Sequence, residues 1–526
     1  MFSRKMMVFL VALVLVSFGY AGMVVAAGFN PKIFNVGLYL EPASLDPHVA
    51  TSQDVGIIQN TYEPLWRLGP KLEKIPCLAT SWEISKDGKV HTYHLRKGVK
   101  FHDGTHFNAQ AVDFNMKRLK HIKRGPAIYV EHLERVEIID DYTVKFHLEK
   151  PSLALETGMF NIRFVSPTDV KNHEKKSGDY AGDWYVDHGV GTGPYKLVEW
   201  THGVKTAQKK FGGYWRGWKG KHVEEVYNWV INEPATQRMM VEKGELDFIM
   251  LYSTDYLPHF RKNPEILVDE RISPLQLYCR FNNAVGPLAD IRVRKAVSYA
   301  FDRKKYDEVL GFENKPSSGP IPSYLLGGWI PKGLIREYDL KEADKLFTEA
   351  GYPPGKRPEL EFVFVPGDDL KRKMGEVLQL RLGEIGVKVN LAPATWANQY
   401  ARLVAWKEKK TEKGSIDLWA WNRNPDLPNA YGMLRVVYHR DGARNLMGYE
   451  DPEVDRLMEQ SATMVDPENR MELWRIIVQM IADEVPDLFV SSMPDWAIYR
   501  KWVKGFWFHP LSYNRIYTYD VYKEKD

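Results

Sequence analysis

The stretch DLWAWNRNPDLPNAY, Asp417 to Tyr431, concentrates groups suited to holding a small molecule. Trp419 and Trp421 are two residues apart, so on a strand both indoles project from one face. They run into Asn422, Arg423, Asn424, Pro425 and Asp426. Carboxamides read hydroxyls and carbonyls, a guanidinium grips carboxylate or phosphate, and a lone acid can take an ammonium. The chemistry such a set supports is recognition: stacking on ring faces plus charge-assisted hydrogen bonds. The competing reading is the end of a core strand, with one of the indoles packed inward.

Catalytic patterns are weaker. The sequence holds neither a Gly-x-Ser-x-Gly elbow nor a His-Glu-x-x-His helix, and no pair of carboxylates is singled out by spacing. His102, Asp103 and His106 lie close enough to suggest a metal, but Asp103-Gly104 makes a turn between them. Histidines beside turns are expected as plain surface residues, so no metal and no cofactor is implied. The glycine-rich GVGTGPYKLVEW, Gly189 to Trp200, lacks the Lys-Ser/Thr pair of a phosphate loop. It reads as a tight crossing between lobes that leads into a strand. Cys77 and Cys279 are the two cysteines; they could pair in an exported protein or remain as two buried thiols.

The elements that must position these groups follow from length and pattern. A chain of 526 residues exceeds what one core organises, so two or three lobes are expected. Arg4 and Lys5, the apolar run Met6 to Phe18 and the small pair Ala26-Ala27 form the layout of a cleavable secretory signal. No later run is long and apolar enough to span a bilayer, and no cysteine near the cleavage point signals lipid attachment. The expected product is an exported, periplasmic protein. Formal charge is +4, and removing the signal leaves +2, too balanced for a partner recognised by phosphate neutralisation. No nucleic-acid partner is expected. SWEISKDGKVHTYHLRKGVKF reads as a hairpin turning at Asp87-Gly88, with Thr92, His94 and Arg96 on one face. Asn108 caps the next helix, and a second hairpin turns at Asp140-Asp141. Later, ADIRVRKAVSYAFDRKKYDEVL is helical with its basic side solvated, and Pro358 to Pro366 is a buried strand. A helix and strand follow in βαβ rhythm, and the last long helix stops at Pro486. The class is mixed α/β.

LRKGVKFHDGTHFNAQAVDFNMKR resembles the signature segment of the extracellular solute-binding proteins of dipeptide, oligopeptide and nickel importers. The likeness continues in order through EPASLDP, GTGPYKLVEW, FNNAVGPLADIRVRKAVSYAFDR and GPIP, from about Phe29 to the C-terminus. It implies an α/β, two-lobed periplasmic binding protein fold with hinge strands and an extra β-rich subdomain inserted in the first lobe. On this chain the resemblance gives a signal peptide at 1–27 and first-lobe segments at 28–68, 190–275 and 500–526. The insert is 69–189 and the second lobe 276–499. The implied function is capture of a small-molecule or peptide ligand between closing lobes by a monomer, and delivery to an inner-membrane ABC permease. A ligand-sensing role toward a membrane receptor and an exported hydrolase are the competing classes.

In peptide-binding members a Trp-rich strand end and an acidic turn face the cleft, where an Asp captures the peptide amine. Here the matching positions are Trp419, Trp421, Asn422, Arg423 and Asp426, and Trp396 is a further candidate because the family places an indole near the cleft there. The acidic positions before Pro425 are Asn in this chain, which puts the amine clamp in doubt. Peptide, oligosaccharide and organic anion all remain open.

Overall fold

The computed structural model describes residues 28–50, 55–250, 254–409, 414–511 and 516–525; the expected signal segment 1–27 lies outside them. The chain begins with strand β1 (Ile33–Leu38) and the short helix α1 (Val55–Thr61). It then builds a separate antiparallel sheet from β2 (Ala79–Ile84), β3 (Val90–Leu95), β4 (Leu133–Asp140) and β5 (Thr143–Leu148), ordered β2-β3-β5-β4. The β2–β3 turn forms where Gly88 takes φ 69° and the Asp87 carboxylate accepts from the Lys89 amide at 3.1 Å. Helix α2 (Ala109–Ile122) covers this sheet: Asn108 caps it by accepting from the Ala111 amide, and Val112, Met116 and Leu119 pack with Tyr93, Val144 and Phe146. A capping amide here satisfies an N–H that the first helical turn leaves unpaired.

The main sheet has 11 strands, ten along one path and the two-residue strand Lys315–Pro316, which pairs with Ser491 and Ser492 off that path. It takes β6 (Tyr195–Thr201), β7 (Lys205–Lys210), β8 (Glu225–Val230), β9 (Phe248–Met250) and the long β10 (Ile266–Phe281). Beyond these come β11 (Glu359–Phe364), β12 (Lys388–Pro393), β13 (Leu418–Arg423) and the long β14 (Asp487–Arg500). Its order is β12-β11-β13-β10-β14-β9-β1-β8-β7-β6. The flanks are βαβ-like: β1 runs parallel to β8 and β9, and β11 parallel to β12 and β13. The centre is the antiparallel pair β10–β14, whose register shifts between Ile272 and Gln276. A shift of this kind bends the strand and breaks the ladder locally. A second shift falls between Leu277 and Tyr278, so the sheet is continuous, yet its central ladder is interrupted twice.

Alternation along β10 and β13 sorts their side chains into two cores. Leu277, Cys279, Phe281, Leu418 and Ala420 pack on one face with helices α3 (Ile291–Ala300) and α4 (Asp369–Glu384). Tyr278, Trp419 and Trp421 pack on the other with α6 (Ala430–Tyr438) and α7 (Pro467–Glu484); α5 (Trp396–Lys409) lies between β12 and β13. Helix α7 ends as expected: Val485 turns left-handed at φ 50° ahead of Pro486, which has no N–H to continue it.

The glycine-rich crossing is as tight as its sequence suggests. A Cβ on Gly191 would stand 2.2 Å from the Thr61 carbonyl oxygen, and one on Gly193 would stand 2.4 Å from that of Asn60. Cys77 and Cys279 are free and buried. His102 departs from expectation: it is buried, with Nε2 2.9 Å from the Gly193 carbonyl, and burial brings its pKa down to about 4. Among the described residues no acidic, His or Cys group could hold a metal, and no helix is long and apolar enough to cross a membrane.

Candidate ligand-binding site

Three strands present the site in rows. Register places Arg280 opposite Trp419 and Asp487, Tyr278 opposite Trp421 and Phe489, and Gln276 opposite Arg423 and Ser492. Period two puts the β10 and β13 residues on one face, and the register shift between Leu277 and Tyr278 brings Ser492 into the same row set as Phe489 and Asp487. The indoles of Trp419 and Trp421 stack at 5.5 Å and 20°, and Trp396, the first residue of α5, stacks on Trp419 at 5.8 Å and 24°. The stack is wet at its Trp396 end: Trp396 is 40% exposed, Trp419 in the middle 0% and Trp421 5%. Trp419 is further fixed by its Nε1, which donates to Gln399 Oε1 at 2.8 Å.

The deep row is a dry electrostatic unit in which Arg280 Nη2 has no partner. Arg280 Nε donates to Asp487 Oδ1 at 2.9 Å, with both side chains fully buried. Arg280 Nη1 also donates to the Arg444 carbonyl at 2.9 Å, and the Tyr438 hydroxyl donates to Asp487 Oδ2 at 2.7 Å. Burial first, and Asp487 beside it, hold the Tyr438 phenol well above its usual pKa, so it stays a donor. The Arg280 guanidinium lies 5.3 Å from the Trp421 ring centre.

The outer row is looser and more polar. Gln276 Nε2 donates to Ser492 Oγ at 3.0 Å, and Ser317 Oγ donates to Gln276 Oε1 at 3.1 Å. Arg423 lies 6.0 Å over the same Trp421 ring and pairs with Asp426, whose side chain is half exposed. Arg423 Nε and Asn424 Oδ1 are buried without a partner. This end of the site meets the insert. Asn161 Nδ2 donates to the Asp426 carbonyl at 3.3 Å, Asn429 Nδ2 donates to Thr157 Oγ1 at 2.6 Å, and Leu427 joins the insert's core. Past the register shift the same two long strands carry a further ion pair, Arg271–Asp495 at 3.0 Å.

Trp396, Trp419, Trp421 and Arg423 thus share one face. Asn422 does not: it pairs opposite Leu277 and is turned to the other face by the strand's alternation. Trp419 has no exposed surface, so it supports the stack from behind. Asp426 reaches the site as the counter-ion of Arg423. Gln276, Tyr278, Arg280, Ser492 and Asp487 are additions that the sequence reading missed. The alternation in LQLYCRF already set Gln276, Tyr278 and Arg280 on one face, but their partners on β14 are distant in the chain. The assembled rings, carboxamides and guanidiniums can bind and orient a solute.

The family profile described as bacterial extracellular solute-binding proteins, family 5 Middle, matches residues 73–445. The glutathione-binding protein GsiB of Shigella flexneri serotype 5b is 27% identical over 512 residues, covering 94% of this chain and 96% of that protein. The probable D,D-dipeptide-binding periplasmic protein DdpA of Escherichia coli K12 is 26% identical over 492 residues, covering 90% of this chain and 91% of its own. Among solved structures, the ABC transporter substrate binding protein CtaP from Listeria monocytogenes aligns with a TM-score of 0.84 at 21% identity, over 94% of this chain and 100% of that one.

Proposed function

The chain belongs to the bacterial extracellular solute-binding proteins of family 5, and from that premise we propose that its solute is neutral and hydroxyl-rich or anionic, held at the Trp421–Arg423 end of β13. As a member of this family the protein captures a solute for an ABC importer and delivers it to the permease. The observation that carries the choice of solute is the Arg423–Asp426 pair. A free-amine peptide needs a carboxylate for its ammonium, and the one acid of this turn is already engaged. What the outer row offers is the Arg423 guanidinium and an indole edge, backed by the buried Gln276–Ser492 pair. Rings pack on sugar faces, amides and hydroxyls pair with hydroxyls, and a guanidinium takes a carboxylate two-pronged. Two relatives are named for glutathione and for D,D-dipeptides, so peptides are the class that this reading must beat.

Closure brings the second lobe, 276–499, onto the first, whose segments are 28–68, 190–275 and 500–526 with the insert 69–189. The register shift at Ile272–Gln276 supports a hinge just before the second lobe begins. Export with removal of residues 1–27 belongs to the same reading, and N-terminal sequencing of exported protein should start at Ala27 or Gly28.

Calorimetric titration with a panel of dipeptides, oligosaccharides and organic acids tests the solute class. Oligosaccharide or organic acid should bind, and simple dipeptides should bind poorly. Tight dipeptide binding that survives Arg423→Ala and vanishes in Asp426→Asn would overturn the assignment.

A further inference from the structure

Apart from the indole stack, a cavity of about 120 Å³ lies behind α1, lined only by first-lobe and insert residues. Its polar contents are unmet. Gln59 is 4% exposed, yet neither its amide nitrogen nor its amide oxygen has a partner. Each such group left without a partner costs about 1–3 kcal/mol, so the space is suited to a polar occupant. Arg67, Arg163 and Arg216 line it. Arg67 lies 5.2 Å over Tyr517 and Arg216 lies 4.2 Å over Tyr519. Ring faces orient a guanidinium while leaving its N–H groups free to donate. Two acids oppose them. Asp520 stands 3.8 Å from Arg67, beyond hydrogen-bond length, and accepts from Trp507 Nε1 at 3.2 Å. Glu63 is saturated: Tyr214, Trp215, Thr192 and Cys77 all donate to it. Guanidiniums therefore outnumber carboxylates in the wall.

We propose that this cavity is a second ligand site, which takes a small oxyanion, a carboxylate or phosphate, on Arg67, Arg216 and the Gln59 amide. A guanidinium fork matches either group two-pronged, and Gln59 Nε2 supplies a further donor. The volume has room for several waters or one small anion. Bound there, the anion would tie α1 to the C-terminal segment, which Asn60 already holds through Thr518 Oγ1 and the Thr518 amide, each at 3.0 Å. The site is independent of the solute held between the lobes.

Thermal unfolding and calorimetry of the whole exported protein test this, with sodium phosphate, acetate or succinate against sodium chloride at equal ionic strength. One of the oxyanions should raise the unfolding temperature saturably, and comparing the phosphate arm with the carboxylate arms identifies which. Binding should weaken at least tenfold in Arg67→Ala and fall in Gln59→Leu, and should persist in Arg423→Ala. Arg67→Lys, which keeps the charge without the fork, should also bind less and serves if Arg67→Ala fails to fold. Absence of saturable binding by any of these anions to the wild type would show that water alone fills the cavity and would overturn the proposal. Loss in Arg423→Ala with Arg67→Ala intact would place the anion between the lobes, and would overturn it equally.

Discussion

Trp421 separates two Arg–Asp pairs of the same chemistry and opposite circumstance. Arg280–Asp487 lies on its inner side with both side chains fully buried; Tyr438 and the Arg444 carbonyl bond to it, and Arg280 Nη2 is left without a partner. Arg423–Asp426 lies on its outer side, with the arginine side chain 14% and the aspartate 50% exposed. The inner pair has no water to replace a lost partner, so its Coulomb attraction and hydrogen bonds are obligatory. In the outer pair the half-exposed aspartate can turn to solvent and leave the arginine to a ligand anion at small cost. Ion pairing by itself therefore does not mark a binding residue; access to a replacement partner does.

The comparison breaks most easily at Asp487. Asp487→Ala strands Arg280 and should cost about 3–5 kcal/mol in urea unfolding. A cost below 1 kcal/mol would make the two pairs equivalent. Next in size is Arg423→Ala, which should weaken any organic acid that binds the wild type by about 1.5–3 kcal/mol while leaving the unfolding midpoint nearly unchanged.

A third pair, Arg118–Asp46 at 2.7 Å and fully buried, sharpens the contrast through pH. Its neighbour His48 has Nδ1 2.9 Å from Arg118 Nη1 and Nε2 2.9 Å from the Arg163 carbonyl, an arrangement that fits only a neutral ring protonated on Nε2. Burial, then Arg118, bring its pKa down to about 4 from 6.5. The unfolded chain therefore binds an extra proton between those values, and stability should fall as pH drops through that window. The slope approaches about 1.4 kcal/mol per pH unit. His102, lowered to about 4 by burial, acts in the same direction. Glu63 and Asp247, raised by burial, pull the other way, so unfolding curves from pH 7 to pH 4 are compared with those of His48→Gln, and an unchanged slope would contradict the dry setting of His48. The smallest effect belongs to the outer acid: Asp426→Ala should change stability by about 0–1 kcal/mol.

Local pattern carried much of this fold. The Asn108 cap, the Asp87-Gly88 turn, the stop before Pro486 and the shared face of Trp419 and Trp421 all depend on residues within a few positions of one another. What escaped is non-local. Arg280 and Asp487 are 207 positions apart, and nothing near either announces the other. Arg294, expected on a solvated basic face, is buried because the carbonyls of Leu288, Glu484 and Val485 accept its donors. His102 is buried because Gly193, far along the chain, offers its carbonyl. Asn422 was misplaced for a simpler reason: its family-matched neighbours were read as one surface, whereas a strand divides them between two.

The long strands β10 and β14 also set an order on folding. Phe248 of β9 pairs with Tyr499, and Ile266 of β10 with Arg500, so both strands wait for nearly the last part of the chain. Until β14 emerges, β9 and β10 each present an open hydrogen-bonding edge, a template for mispairing. Contacts of such long sequence separation also close slowly. A chain cut short before Asp487 would keep its complete insert yet leave those edges uncovered, and it would be far more prone to aggregate than its mostly intact composition suggests.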